Sequence, residues 1–172
     1  MLTDGVITLR PPRDDDAEAL FVACQDPEIQ RWTGVPKPYL REHADAYLAR
    51  VVAEREAGKS HAFLAIGQDG ALLGNISVME LDRAPGYGEL GYWVARDARG
   101  KGVASAAVTL LRDWSAAELG LELIELLIDI ENIGSQRVAE STGFLDTGER
   151  RPAPRQTESA EPTHAVYAWS PA

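Results

Sequence analysis

The chain has 172 residues, 45% of them hydrophobic and 26% charged, which is the composition of a globular protein that can bury its own core. Seventeen Lys and Arg residues against 27 Asp and Glu residues give a net charge of -10, which disfavours binding to nucleic acid or to an anionic membrane. No apolar run reaches the roughly 18–20 residues of a membrane span, and the N-terminus lacks a signal-peptide pattern. The single cysteine, Cys24, permits no internal disulfide, so a cytoplasmic protein is expected.

Hydropathy patterns and turn residues predict seven strands and four helices within one domain, residues 1–172. The strands are predicted at 6–10, 62–66, 72–81, 86–95, 124–128, from Phe144 onward and at 165–169. The helices are predicted at 15–25, 40–57, from Val103 to a stop at Gly120, and at 135–142, and the first is expected to end at the Asp26-Pro27 breaker. The order β-α-α-β-β-β-α-β-α-β-β predicts an α/β (α+β) fold, a mixed central sheet of about seven strands with helices on both faces.

Two possible ligand sites are excluded by their sequence context. Residues 86–91 match the letters of the dinucleotide pattern G-x-G-x-x-G, but that pattern binds pyrophosphate only where it follows a strand and opens a helix. Here it leads into strand-forming sequence, so no dinucleotide site is expected. His43, His61 and His164 are too scattered for a metal site, and no metal is predicted.

The turn Arg99-Gly100-Lys101-Gly102-Val103-Ala104 lies between a predicted strand and a predicted helix. A glycine-bearing turn at a helix N-terminus presents unpaired backbone N–H groups to an anion, and glycine lets the main chain approach a ligand closely. Arg96, Arg99 and Lys101 make this turn locally positive in an acidic chain. The pattern predicts a phosphate site, with an ordinary solvated helix start as the alternative.

This turn resembles the R/Q-x-x-G-x-G/A acetyl-CoA signature of the GNAT superfamily of N-acetyltransferases. Four further segments resemble its RimJ/RimL-type branch: Glu89-Leu90-Gly91-Tyr92-Trp93-Val94, Asn132-Ile133-Gly134-Ser135, Gly143-Phe144 and Leu9-Arg10-Pro11. The resemblance covers nearly the whole chain and implies a GNAT-like domain that moves an acetyl group from acetyl-CoA to a primary amine, on a protein N-terminus or a small molecule. A non-catalytic acyl-CoA-binding or regulatory module on the same fold is the alternative.

The resemblance also implies roles for individual residues. The pyrophosphate of acetyl-CoA is expected on the amides of Gly100 to Ala104, and the pantetheine arm between strands 89–95 and 123–129. A backbone N–H of Tyr92 or Trp93 is expected to polarise the thioester carbonyl. The full set of expected cofactor contacts is Tyr92, Trp93, Val94, Arg99, Gly100, Lys101, Gly102, Val103, Ala104, Asn132 and Ser135.

Two residues are predicted to take part in catalysis. Glu89 is the candidate base, because a carboxylate at the mouth of the site can accept the proton of the attacking amine. A solvent-facing glutamate is the alternative, and an α-amine substrate could dispense with a base. Ser135 is the candidate donor to the leaving thiolate, with helix capping as a second role. The tyrosine that many superfamily members carry about eleven residues after the asparagine position is Gly143 here, so that role does not transfer.

The acceptor pocket is the least specified part of the prediction. Trp32 and Tyr39, in a predicted loop between the first two helices, are expected to line it together with Glu89, with core packing as the alternative for each aromatic residue. The segment 150–162 is expected either to flank the acceptor or to form a solvated loop. The identity of the amine and the formation of a homodimer are left open.

Overall fold

The computed structural model describes residues 1–154 and 160–171. Its strands are β1 (Leu2–Thr3), β2 (Ile7–Arg10), β3 (His61–Gly67), β4 (Leu72–Met79), β5 (Tyr87–Val94), β6 (Leu123–Asp129), β7 (Leu145–Arg151) and β8 (His164–Trp169). Its helices are α1 (Ala17–Ala23), α2 (Pro27–Trp32), α3 (Arg41–Glu56), α4 (Val103–Leu119) and α5 (Ile133–Ser141), with short 3-10 turns at Asp14–Asp16 and Arg96–Ala98. The predicted α/β architecture is confirmed, with one more strand and one more helix than the sequence indicated.

All eight strands form one mixed sheet in the order β1-β2-β3-β4-β5-β6-β8-β7. Neighbouring strands are antiparallel except β5 and β6, which run parallel because α4 connects them by a crossover. The last two strands are inserted in reverse order, so β8 pairs with β6 and β7 lies at the edge. The only parallel pair of the described sheet therefore lies near its middle, between β5 and β6.

A hydrophobic core lies on each face of the sheet. On one face, α4 and α5 cover the larger core, which includes Leu90, Leu111 and Phe144. On the other face, α1 and α3 cover a smaller core built around Leu20, Leu48 and Leu64. Side chains alternate along a strand, so neighbouring residues of β5 point to opposite cores. This alternation decides which side chains of β5 lie on the α4 and α5 face of the sheet and which lie on the α1 and α3 face.

The segment after the first helix differs from its prediction. The first helix ends before Asp26-Pro27, as predicted, but the same dipeptide also begins an additional helix, α2: the Asp26 side chain accepts a hydrogen bond from the Glu28 N–H (2.8 Å), and Pro27 occupies the first turn. Proline is tolerated there because the N–H it lacks has no partner inside the helix. Trp32, expected in a loop, is the last residue of α2. The two-residue strand β1 was also missed, because it carries no periodicity of its own.

No helix in the described ranges 1–154 and 160–171 is long and apolar enough to cross a membrane.

Candidate active site

The two central strands separate along their length. β5 and β6 are paired only over Tyr87–Leu90 and Leu123–Leu126, while β5 stays paired with β4 as far as Val94 and β6 with β8 as far as Asp129. A gap therefore opens between residues 91–94 and residues 127–129. This is the gap in which the pantetheine arm was expected.

Two amides of β5 face this gap. The Ala95 N–H donates to the Leu73 carbonyl (2.8 Å), on the β4 side. Because alternate peptide groups of a strand point the same way, the N–H groups of Gly91 and Trp93 also point to β4. Those of Tyr92 and Val94 then point into the gap. Of the two residues expected to polarise the thioester, Tyr92 has the suitably directed amide.

The turn at the end of β5 leads directly into α4. Gly100 (φ 71°) and Gly102 (φ 78°) are in the left-handed region that favours glycine, and a Cβ added at either would meet no atom of the described chain within 4 Å. In the part of the chain that the structure describes, no side chain caps the start of α4, whose Gly102 carbonyl accepts the N–H of Ala106. The amides of Val103, Ala104 and Ser105 thus lie at an uncapped helix N-terminus, which favours an anion. Lys101 is exposed beside them, and the Val103 side chain is buried in the core.

Arg99 connects this turn to the end of β5 and to Asp26 at the start of α2. Its Nε donates to the Val94 carbonyl (3.1 Å), and its Nη2 lies 2.8 Å from Oδ2 of Asp26, which is 9% exposed. Burial disfavours the charged form of Asp26, but the Glu28 N–H and the Arg99 guanidinium outweigh this and lower its pKa. Asp26 therefore caps α2 and holds Arg99 at the same time.

On the other side of the gap, the start of α5 carries two residues predicted from the sequence. The Asn132 side chain caps the helix by accepting a hydrogen bond from the Ser135 N–H (3.1 Å). The Ser135 Oγ lies 2.8 Å from the Tyr92 hydroxyl, which reaches across from β5. Burial raises the pKa of Tyr92 to about 12, so its hydroxyl keeps its proton near neutral pH. A hydroxyl pair therefore connects β5 to the start of α5, at the end of the sheet where β5 and β6 part.

Glu89 lies on the face of β5 that carries Trp93, opposite the face of Leu90 and Tyr92. Burial raises the pKa of Glu89 to about 7, and the charges of Glu80 and Glu125 add to the shift. A carboxylate with this pKa exchanges protons readily at neutral pH. Glu89 therefore changes its protonation state near neutral pH, beside the end of the β5–β6 pairing.

Two charged residues beside Glu89 were not identified from the sequence. Glu125 of β6 is the register partner of Glu89 and is 7% exposed. It accepts hydrogen bonds from Arg151 Nη1 (2.6 Å) and from the Tyr87 hydroxyl (2.8 Å). The sequence did contain one indication of this pair: Glu125 is a lone carboxylate inside the apolar run 124–128, and a charge is rarely fully buried unless it is paired.

A polar group on β4 was also missed. Asn75 Nδ2 donates to the Tyr47 hydroxyl (2.5 Å), and Ser77 is a second hydrogen-bond partner of that hydroxyl. Asn75 and Ser77 are the register partners of Trp93 and Gly91, so they belong to the Glu89 side of the sheet. The hydropathy pattern of the sequence does not identify these two residues as part of the site, because they are buried polar residues in a largely apolar strand.

The aromatic residues expected in the acceptor pocket are placed differently from one another. Tyr39 is 5% exposed and packs in the smaller core with Cys24 and Leu20, so it takes the packing role that was its alternative. The Trp32 indole is partly exposed and donates to Glu28 (2.9 Å). Trp93 packs its side chain against the smaller core. Only Trp32 of the predicted pair is available to a ligand.

The segment 150–162 belongs in part to the sheet. Arg150 and Arg151 are the last residues of β7, and Arg151 reaches the Glu89 side through Glu125. Residues 155–159 lie outside the described residues. Across the described ranges, no group of three or more His, Cys, Asp or Glu side chains is placed to hold a metal ion.

Comparison with known proteins places this chain in a family. A family model described as "Acetyltransferase (GNAT) domain" matches residues 7–145. YdaF of Bacillus subtilis (strain 168), which carries the name of a ribosomal N-acetyltransferase, is 28% identical over 151 residues, 84% of this chain and 80% of YdaF.

Two solved structures share the fold. RimJ of Mycobacterium smegmatis, in complex with CoA-disulfide, has a TM-score of 0.81 and 24% identity, covering 98% of this chain and 84% of RimJ. The microcin C7 self-immunity acetyltransferase MccE, in complex with acetyl-CoA and AMP, has a TM-score of 0.84 and 17% identity, covering 97% of this chain and 93% of MccE.

The family match confirms the resemblance to GNAT acetyltransferases predicted from the sequence, and the solved structures share the fold of this chain. These matches do not favour the alternative of a module that only binds acyl-CoA, because the matching family and relatives are named acetyltransferases. The chain therefore belongs to the GNAT acetyltransferase family and is an N-acetyltransferase that uses acetyl-CoA.

Proposed function

We propose that the acceptor is an α-amino group, presented by the N-terminus of a peptide or protein. The observation that carries this proposal is Glu89, beside the gap between β5 and β6, whose pKa is raised to about 7. An α-amine has a pKa near 8 and a lysine amine near 10.4. A base that titrates near pH 7 can take the proton of the first far more easily than that of the second. The name of YdaF, a ribosomal N-acetyltransferase, supports the same class of acceptor.

The cosubstrate is held, in this proposal, by the main chain rather than by a large side-chain pocket. The amides of Gly100 to Ala104 bind the pyrophosphate, since the start of α4 is uncapped within the described residues. The gap-facing Tyr92 N–H donates to the carbonyl oxygen of the thioester and stabilises the negative charge that develops there. Val94 offers a second amide to the pantetheine arm, and Asn132 fixes the helix start opposite. The thioester itself supplies the activated acetyl group.

The transfer is a direct attack. The neutral amine nitrogen bonds to the acetyl carbon, the carbon–sulfur bond breaks, and Glu89 takes the proton that the nitrogen loses. Ser135 then donates a hydrogen bond to the sulfur that leaves as a thiolate. Because a phenol is the stronger acid, Tyr92 donates to the Ser135 oxygen and leaves the serine proton free for the sulfur. The Tyr92 hydroxyl thus supports the Ser135 hydroxyl, which in turn donates to the sulfur.

Release of free CoA thiol across a panel of amines tests the acceptor class. The panel contains a peptide with a free N-terminus, the same peptide acetylated at its N-terminus but carrying a lysine, and small primary amines such as a polyamine. We expect turnover with the first peptide and little with the second. Equal rates on both peptides, or turnover of the small amines alone, would contradict an N-terminal acceptor. Glu89→Gln is expected to lower turnover of the active peptide by about 10²-fold.

The proposed cellular compartment is the one expected from the sequence. Cys24 needs no oxidising environment and is buried, and burial raises its pKa to about 11, which suppresses its reactivity. The cytoplasm is therefore the proposed location.

A further inference from the structure

A charged pair lies beside Glu89 without belonging to any role considered so far. Arg151 donates to both carboxylate oxygens of Glu125, from Nη1 at 2.6 Å and from Nη2 at 3.3 Å. The Tyr87 hydroxyl donates to the same carboxylate at 2.8 Å and accepts from Arg83 Nη1 at 3.0 Å. The other edge of the Arg151 guanidinium is occupied by Glu149 at 2.6 Å. The pair is thus held from several directions.

Stability alone is a weak reason for this arrangement. Burying two charges costs desolvation free energy that their attraction barely repays, so well-packed apolar residues are often as stable. Glu125 interrupts an otherwise apolar strand on which Ile124 and Leu126 fill the larger core. Its side chain emerges on the opposite face, where β5 presents Glu89 at the same register. The pair is therefore placed where its charges act directly on Glu89.

We propose that Glu125 and Arg151 are positioning residues for acetyl transfer, whose opposite charges set the pH at which Glu89 accepts the proton of the acceptor amine. This inference rests on the proposed role of Glu89 as the base. The charged groups that act on Glu89 come from every element around it: Glu80 after β4, Arg83 in the β4–β5 connection, Glu125 on β6 and Arg151 on β7. Glu80 and Glu125 favour the protonated form of Glu89, while Arg83 and Arg151 favour the charged form.

The two members of the pair therefore have opposite effects, which gives the proposal its test. Removing the Glu125 charge removes a repulsion, so Glu89 loses its proton at lower pH. Removing the Arg151 charge removes an attraction and leaves Glu125 unneutralised, so Glu89 loses its proton at higher pH. Damage to the fold would not separate the two variants in this way, because each breaks the same ion pair.

The experiment compares Glu125→Gln with Arg151→Met in the full-length protein. Glutamine keeps an oxygen for Tyr87 and Arg151, and methionine keeps the length of the arginine stem. In the free protein, ¹³C NMR of labelled glutamate carboxyls follows the titration of Glu89, whose signal is identified by its loss in Glu89→Gln. We expect the midpoint to fall by about one pH unit in Glu125→Gln and to rise by about half a unit in Arg151→Met. The acidic limb of kcat/KM for the active peptide is expected to move with it.

Arg150→Met is the matched control. Arg150 is the preceding residue of β7 and makes an exposed ion pair with Asp146 on its own strand (2.9 Å), so its removal is the same charge change without contact with Glu125. We expect it to leave both the NMR midpoint and the pH profile in place. Unchanged midpoints in both pair variants, or shifts in the same direction, would overturn the proposal.

The two readouts separate this inference from the proposed function. If the NMR midpoints move in opposite directions while kcat/KM does not follow, the pair controls the charge of Glu89 but Glu89 is not the base. That result overturns the proposal for catalysis and removes Glu89 from the mechanism. If turnover of the peptide is absent in every form, including the unmodified protein, the acceptor class is wrong, and the NMR titration alone decides the electrostatic part.

Discussion

At the scale of single residues, the hydroxyl pair of Tyr92 and Ser135 joins the two sides of the gap. The tyrosine that other members of the superfamily carry after the asparagine position is replaced by Gly143 here. A tyrosine hydroxyl nevertheless lies beside the predicted serine, because Tyr92 on β5 places its hydroxyl 2.8 Å from the Ser135 Oγ. The tyrosine hydroxyl next to Ser135 therefore comes from β5 and not from position 143.

Ser135→Ala and Tyr92→Phe test this pair. We expect each to raise the pKa of the thiol of bound CoA, because the thiolate loses a hydrogen bond or the support of one. Ser135→Ala is expected to lower kcat about tenfold and Tyr92→Phe somewhat less, since a hydrogen bond to a charged group contributes roughly 1.5–3 kcal/mol. Ultraviolet absorbance of the thiolate in the CoA complex gives the thiol titration.

Tyr167→Phe is the control for these variants, because it removes the hydroxyl of a buried tyrosine on β8 whose charged neighbours are Asp146, Glu140 and Arg150. It is expected to leave the thiol titration unchanged. A CoA thiol that titrates identically in all three variants would remove the hydroxyl pair from the mechanism.

The residues of the site differ in how far the sequence could predict them. Glu89 and Ser135 belong to segments that resemble a known family, so their types and places were predicted. Glu125 and Arg151 are 26 residues apart and meet across β8, which is inserted between their strands β6 and β7. No local pattern encodes that insertion. The same holds for Asn75 and Tyr47, which belong to a strand and a helix that pack only in the folded chain.

At the scale of elements, α4 has a left-handed glycine at each end, Gly102 (φ 78°) before its first turn and Gly120 (φ 66°) after its last. Both helix ends were predicted correctly, because glycine and the apolar periodicity mark them in sequence. The helix α2 was missed, because Asp-Pro was interpreted only as the end of the first helix, although it can also form the first turn of the next. A new helix forms after Pro27 when an apolar residue of its first turns can pack into a core, and Ile29 packs into the smaller core.

Gly102→Val tests the phosphate-binding role of the turn, with Gly120→Val as a matched control on the same helix. Both positions have positive φ and open space around an added Cβ, so both variants carry a similar backbone strain of about 1–2 kcal/mol. We expect only Gly102→Val to weaken CoA binding, by at least about tenfold, because its side chain occupies the space of the ligand. Calorimetric titration with CoA measures this; equal affinities in the two variants would argue against the site.

At the scale of the whole molecule, the net charge of -10 surrounds a turn that carries Arg96, Arg99 and Lys101. An anionic cosubstrate is repelled by most of the surface and attracted by this turn, which focuses binding at one place. The sheet on either side of the gap is joined by only four register pairs between β5 and β6. A ligand that spans the gap contacts both parts of the sheet.

Saturation with CoA is therefore expected to raise the thermal stability of the protein. A ligand at 100 times its Kd stabilises the native state by about 2.7 kcal/mol, which corresponds to a rise in Tm of roughly 5–10 °C for a chain of this length. Differential scanning calorimetry at increasing CoA concentrations measures the shift, and Gly102→Val is expected to reduce it. An unchanged Tm at saturating CoA would mean that the gap and the turn are not the binding site.

Asp26 connects the helix α2 to the turn that precedes α4. One oxygen of its carboxylate holds the first turn of α2, and the other lies against Arg99 of the phosphate-binding turn. We expect a phosphate bound at the turn to compete with this carboxylate for the Arg99 guanidinium. Trp32, which the sequence predicts to contact the acceptor, is the last residue of the same helix, so we expect the position of Arg99 to influence both predicted binding sites.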